Sequence, residues 1–470
     1  MDNTSLKRFI GALWDREIVP TLIDYIRIPN KSAMFDPAWE RHGHMDKAVA
    51  LFESWARAKL ASLPGAALEV VKVKGRTPLI FIEVPGKSDD TVLLYGHLDK
   101  QPEMAGWGQG MGPWTPVLKG DLLYGRGGAD DGYAMFAAIS ALLALAEQQI
   151  DHARCIIIIE AGEESGSPDL PFYLEHLAAR IGTPDLIVCL DSGCGNYQQL
   201  WLTTSLRGIV AGKLSVRVLT EGVHSGDASG IVPSSFRILR TLLSRIEDEA
   251  TGTIKLSEFF APLPAERLEQ ARAASQILGD EVYTKLPFSA STQPMAATPL
   301  EMILNRSWKP QLAIIGMEGY PLPEQAGNVL LPYSLAKLSL RTPPTCDAPA
   351  AVRALKRVLE EDPPYGAEVA FEAEAGQSGW NAPSLPLWLE TALNKASETH
   401  FGKPVAFIGE GGSIPFMAML GEKFPKTQFV VTGVLGPHSN AHGPNEFLDI
   451  PTAKKVSACI ANVLADHARR

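Results

Sequence analysis

Ligand-type side chains recur in tight clusters along this chain. His97 and Asp99 lie in "LLYGHLD", Asp130 and Asp131 in "LYGRGGADDG", and Glu163 and Glu164 in "IIIIEAGEE". Asp191 follows in "IVCLDSG", and His438, His442 and Glu446 in "GPHSNAHGPNE". Adjacent carboxylates at the end of an apolar strand repel each other and are hard to desolvate. Imidazoles converging with carboxylates match a borderline cation, zinc or manganese. More carboxylates than one ion needs point to two ions, and a carboxylate can bridge metals roughly 3.5–4 Å apart. One carboxylate left over can take a proton from the activated water. Each cluster alone is weak evidence: a lone strand-end histidine usually caps or faces solvent, "ADD" alone reads more readily as a turn or helix N-cap, and adjacent glutamates usually form a solvated face. The set carries the reading, because independent clusters follow independent apolar runs.

Those runs are the elements that must position the clusters. "LKRFIGALWDREIVPTLIDYIRI" and "HMDKAVALFESWARAKLASL" have helical apolar spacing. "LEVVKVK", "LIFIEVPG", "TVLLYGHLD", "ARCIIIIEAGEE" and "DLIVCLDSG" read as strands, and "GYAMFAAISALLALAEQ" as a buried helix. This order predicts an α/β domain with a mostly parallel sheet, in which ligands sit beyond the carboxyl ends of the strands. From about residue 207 the texture changes to half-exposed antiparallel strands with two helices, a smaller α+β sandwich. After about residue 379 the first texture returns. The expected organisation is a discontinuous first domain, 1–206 and 380–470, with a second domain, 207–379, inserted in its middle.

Composition narrows the function classes. The 470 residues carry 43 Lys and Arg against 53 Asp and Glu, a net charge of −10. That argues against nucleic acid and anionic membrane as primary partners. The N-terminal twenty residues carry charges throughout and do not read as a signal peptide. Five scattered cysteines without a CxxC pair read as packed, reduced thiols, and a cytoplasmic enzyme is the expectation.

In order, "GHLDKQP", "LYGRGGADDG", "EAGEESGSPDL", "GVHSGDASG", "LSLR", "GEGGSIP" and "AHGPNE" resemble the motifs of a co-catalytic di-zinc metallopeptidase family. That family includes cytosolic nonspecific dipeptidase, carnosinase, the bacterial dipeptidase PepV, glutamate carboxypeptidase G, aminoacylase and succinyl-diaminopimelate desuccinylase. The resemblance covers nearly the whole chain. "GHLDKQPE" and "LEMILNRSWKPQLAIIGMEGYPLPEQAGNVLLP" are most similar to the dipeptidase and carnosinase branch.

The resemblance implies roles residue by residue. His97 and Asp191 would bind one metal, Glu164 and His442 the second, and Asp130 would bridge both. Zinc is the implied ion, with manganese or cobalt as alternatives. Asp99 would orient His97, two residues away on the same strand face. Glu163 would be the general base. His224 of the inserted domain would stabilise the oxyanion, from the partner subunit of a homodimer, so that domain would serve as lid and dimerisation surface. Arg341 would hold the substrate's terminal carboxylate with its planar fork. Asn328 would add a polar contact, and Gly412 and Ser413 backbone and hydroxyl donors at a helix start. Asp131 would cap the next helix or support its loop, while His438 and Glu446 would be supporting residues.

Two departures stand out: Gly132-Tyr133 where relatives commonly read Lys-Gly, and Lys100 where dipeptidases often carry Val. Both are expected near the cleft, with a bearing on specificity. The implied activity is hydrolysis of the amide bond of dipeptides or small peptides with a free terminal carboxylate. The alternative is a deacylase of N-acyl or N-carbamoyl amino acids, sharing the metals and differing in the pocket. A silent relative acting as a binding protein should have lost a ligand or the base, and this chain keeps all of them.

Overall fold

The four isoleucines sit in the strand Arg154–Glu160, an interior strand of a six-stranded sheet. On one side it pairs antiparallel with Leu79–Val84, which in turn pairs antiparallel with Ala67–Val71. On the other it pairs parallel with Thr91–His97, followed by Leu186–Cys189 and Gln428–Val431, also parallel. Both faces of the interior strands are covered, so they are apolar without alternation: every residue of Thr91–His97 and all but the first of Arg154–Glu160 are buried. In the computed structural model, residues 1–88 and 90–470 are described.

The helix Ala134–Glu147 supplies much of the cover. It is built from Ala, Leu, Ile, Met and Phe and is buried all round through Leu145. Its one polar side chain in that span, Ser140, donates back to the Phe136 carbonyl (2.6 Å), which satisfies the hydroxyl without a tertiary partner. It packs against the last helix, Ile450–His467, and against His44–Leu60. The stretch Gly128–Glu147 is long and apolar enough to cross a membrane, but 94% of its apolar window is buried inside the protein.

The chain divides into two compact units, Met1–Thr203 with Ala382–Ile408 and Met419–Arg470, and Thr204–Asn381 with Gly409–Ala418. The first holds the mostly parallel sheet. The second is α+β: a four-stranded antiparallel sheet in the order Gln311–Glu318, Tyr333–Thr342, Gly208–Arg217, Glu368–Ala373. Alternate residues of Tyr333–Thr342 are buried, and the helices Ser235–Ile246 and Ala348–Glu360 share their core. The Pro- and Ala-rich stretch after residue 251 forms the helices Ala265–Leu278 and Pro299–Ser307. Thr298 and Glu301 start the second of these with reciprocal side-chain to backbone bonds, both 3.3 Å.

Candidate metal centre and active site

The parallel strands end where the ligand-type residues begin. His97 is the last residue of its strand, Glu163 and Glu164 follow three and four residues after Glu160, and Asp191 two after Cys189. Two donor groups result: His97 with Asp130 and Asp191, and Asp130 with Glu164 and His442. Within each, the ligand atoms lie within 4.8 Å of one another. Asp130 belongs to both. Its Oδ1 is 3.5 Å from His97 Nε2 and its Oδ2 is 3.0 Å from His442 Nε2. Asp191 Oδ1 is 3.8 Å from His97 Nε2, and Glu164 Oε2 is 3.4 Å from His442 Nε2. His97 Nε2 is buried and has no hydrogen-bond partner among the described residues. A buried imidazole nitrogen left unpaired among carboxylates is what a metal ligand looks like without its ion. The donor set fits divalent cations of the zinc and manganese class.

The surroundings hold this set in place. Fully buried Asp99 accepts from the backbone N–H of Glu163 (3.1 Å) and of Glu164 (3.0 Å). Its Oδ1 is also 3.4 Å from His97 Nδ1. One carboxylate therefore fixes the imidazole and both glutamates. Gln101 donates to Glu164 Oε2 (2.6 Å). Glu160, facing the same end, accepts from the Tyr95 hydroxyl (2.6 Å) and the Ser167 hydroxyl (2.8 Å). Arg126 is a residue that sequence reasoning missed. Buried beside Glu446, it donates to Glu446 Oε2 (2.6 Å) and to the His442 carbonyl (3.0 Å). Glu446 also accepts from the Gly127 N–H (2.8 Å). His442 sits at φ +65°, a left-handed conformation that non-glycine residues rarely adopt, and Arg126 ties its backbone there.

Burial without a counter-cation sets the electrostatics. Burial pushes Glu163 well above the usual carboxylate range, and the Asp191 charge pushes it further. Glu164 is raised by burial and then by Asp130. Asp191 is pushed up to about 6 by burial, with Asp130 adding to the effect. Burial opposes ionisation of Asp130 too, but the His442 and His97 imidazoles outweigh it and hold the carboxyl well below its ordinary value. The shared carboxylate is thus the member of the set held most firmly ionised.

The residue pattern around this centre matches a known family over most of the chain: residues 93–466 fit the description "Peptidase family M20/M25/M40". The chain belongs to this peptidase family. It is 25% identical to the cysteinylglycine-S-conjugate dipeptidase of Corynebacterium striatum, over 94% of this chain and 97% of that protein. To the human β-Ala-His dipeptidase it is 26% identical, over 88% of this chain and 83% of that protein. Among solved structures it is similar to the dipeptidase Dug1p of Saccharomyces cerevisiae, with a TM-score of 0.80 and 22% identity over 100% and 99% of the two chains. Human carnosine dipeptidase 1 follows with 0.77 and 23%, covering 100% of both. At these identities the structures speak for the fold alone. The chain is a metallopeptidase, and the relatives just named are dipeptidases.

Within this M20 peptidase, the two departures have structural explanations. Gly132 lies where a Cβ would run into the Tyr25 ring and the Gly127 carbonyl. Tyr133 is buried and donates to the Leu190 carbonyl (2.5 Å). Lys100 does not face the donor set, contrary to the expectation of a cleft residue. Fully buried, it donates to the carbonyls of Tyr25 and Ile28 (both 2.8 Å), with Nζ 3.7 Å from the Tyr25 ring centroid. Asp131 caps no helix either. The helix Ala134–Glu147 has no side-chain cap, and Asp131 Oδ2 accepts from the His97 N–H (3.2 Å). His438 is exposed.

In the second unit the expected substrate residues form two groups. His224 pairs in register with Val329, next to Asn328, whose carbonyl accepts from the Ser225 N–H (2.9 Å). Exposed His224 accepts through Nδ1 from the Gly226 N–H (3.1 Å). Arg341 donates to the Ser413 hydroxyl (3.0 Å), which donates to the Arg207 carbonyl (2.5 Å). Gly412 offers its carbonyl to the Arg207 N–H (3.1 Å). Burial, with the charges of Arg341 and Arg306, pushes the Arg207 guanidinium down to about 10. Glu410 lies 3.8 Å from Arg306, and its charge acts on Arg207 against those of Arg341 and Arg306. Arg207 and Arg306 carried no motif, so nothing in their spacing marked them.

Proposed function

We propose that this enzyme hydrolyses the amide bond of dipeptides or small peptides that end in a free carboxylate, using two divalent cations and Glu163 as general base. The observation that carries the proposal is Asp130, whose two oxygens face two separate histidine–carboxylate groups. His97 and Asp191 would hold one ion, Glu164 and His442 the other, and Asp130 both. When bound, such ions supply an acidified water and a polarised amide carbonyl.

The chain's own residues would do the rest. Glu163 takes the water's proton and hands it to the leaving amine. Burial and Asp191 raise its proton affinity, which suits a base working near neutral pH. Asp99 holds its backbone still while the side chain moves. Arg341, supported by Ser413, would take the terminal carboxylate, with Gly412 and Asn328 as further contacts. His224 would donate to the oxyanion. Its exposure suits service to a second copy of the chain. Gln311–Glu318 is an edge strand with Ile314, Ile315 and Met317 exposed, a natural template for pairing between copies.

Glu163→Gln tests the proposal. It should keep the metal content and lose turnover on a dipeptide panel. A variant that cleaves dipeptides at the wild-type rate would refute the assignment. An N-acyl amino acid panel run beside it separates the deacylase alternative, which the desuccinylase of Sphingopyxis alaskensis, 28% identical over 44% of this chain, keeps in view.

A further inference from the structure

The opposite end of the same parallel strands carries another group of ligand-type side chains. Asp90 immediately precedes the strand Thr91–His97, Asp185 precedes Leu186–Cys189, and His467 closes the helix Ile450–His467. One carboxylate oxygen from each aspartate and one nitrogen of the imidazole lie within 4.8 Å of one another. None of the three belongs to the centre at the strands' carboxyl ends.

His467 is the unusual member. Its relative exposure is 0%, and neither ring nitrogen has a hydrogen-bond partner among the described residues. A buried imidazole normally finds at least one partner, because an unpaired buried polar group is costly. The Trp388 ring packs against it at 5.6 Å between centroids and 65° between planes; this contact orients the ring and pairs neither nitrogen. Burial and the nearby Arg470 charge push His467 down to about 4, so the imidazole is neutral at pH 7 and offers a lone pair.

Both aspartates are arranged to receive a cation. Asp185 Oδ2 accepts from the Thr91 N–H (3.0 Å), so Oδ1 is the oxygen that faces the group. Arg470 Nη2 lies 3.1 Å from that Oδ1 and 3.2 Å from Asp90 Oδ2. The guanidinium answers the two carboxylates and leaves the imidazole unanswered. A metal ion would answer all three. One histidine and two carboxylates select a borderline ion over magnesium or calcium, and three protein ligands plus water is a regular zinc arrangement.

We propose that Asp90, Asp185 and His467 form a zinc site at the amino end of the central sheet, where the ion displaces the Arg470 guanidinium. Such a site stands apart from the centre at the strands' carboxyl ends. It ties two parallel strands to the last helix, and those strands deliver His97 and Asp191 at their other ends.

Zinc per chain, counted by elemental analysis after dialysis at fixed free zinc, tests this on the full-length wild type, D90N and H467Q. Both variants should hold one zinc fewer than wild type, with dipeptide turnover at saturating metal within about twofold of it. R470A should bind the extra ion roughly tenfold more tightly or better, because a charge-assisted competitor is gone. Equal zinc content in wild type and D90N overturns the proposal. So does a zinc loss in D90N matched by lost turnover, since the missing ion then came from the catalytic centre. If circular dichroism shows H467Q unfolded, D90N decides, because its side chain is 45% exposed and its replacement is isosteric.

Discussion

Asp99→Asn is the sharpest test of how the catalytic set is positioned. Asp99 is fully buried and accepts two backbone N–H bonds, from Glu163 at 3.1 Å and Glu164 at 3.0 Å. Asparagine keeps the shape but has only one acceptor oxygen. One bond survives, and at the other an amide N–H faces a backbone N–H. A hydrogen bond to a charged group contributes about 1.5–3 kcal/mol. If the whole loss falls on the geometry of the two glutamates, it corresponds to roughly a 10- to 150-fold decrease in kcat/KM. Loss of a group that orients metal ligands typically costs about 10- to 100-fold in affinity or activity, so two routes converge. The assay is kcat/KM on the best dipeptide of a panel, with zinc affinity by competition against a chelating dye. Wild-type values for both in D99N would refute the reasoning that this carboxylate holds the site together.

Other perturbations give separate readings. Arg341→Ala should raise KM for dipeptides by about 10- to 100-fold with a smaller change in kcat, through loss of a charge-assisted contact; unchanged KM would remove Arg341 from the carboxylate site. Arg126→Ala should destabilise the fold by about 3–5 kcal/mol in urea titration, because it leaves buried Glu446 without its partner. Glu160 is pushed up to about 8 by burial, with Asp99 adding to the effect. From about pH 5 to about pH 8 the unfolded chain has released this proton and the folded chain keeps it, so stability of the metal-free protein falls as pH rises. Glu160→Gln should flatten that slope. All five cysteines are buried, and burial pushes Cys155 up to about 12, so a thiol reagent at pH 8 should label none in the native protein and five after unfolding.

Much of the centre's placement was legible because a parallel sheet converts sequence position into spatial position. Each apolar run ends at one edge, so the polar residues after it share that edge, whatever their separation in the chain. What spacing could not do was rank neighbours. Asp130 and Asp131 look alike in the sequence, yet one oxygen of Asp131 turns back to the His97 amide while Asp130 faces both histidines. Arg126 was invisible for another reason: its partner Glu446 lies 320 residues away, and a lone arginine in a glycine-rich stretch reads as surface. Lys100 misled because a lysine beside a histidine motif suggests a charge in the cleft, whereas backbone carbonyls of residues 25 and 28 receive it. The helix Ala265–Leu278 buries only Arg267, Ala271, Ala274 and Leu278, too faint an apolar stripe to define a helix by period.

The membership of Asp130 in both donor groups would make them one thermodynamic object. Under the proposed assignment, the two ions share one ligand, Asp130, so the affinity of each depends on the presence of the other. Such coupling is reciprocal: the factor by which the ion at His442 alters binding at His97 must equal the factor in the other direction. A loading curve for this enzyme should therefore not resolve into two independent steps. A substitution at His442, on one group only, should be felt at the His97 group as well. Metal supply would then act on the enzyme through a single cooperative variable, with half-loaded chains as a species to be counted in their own right.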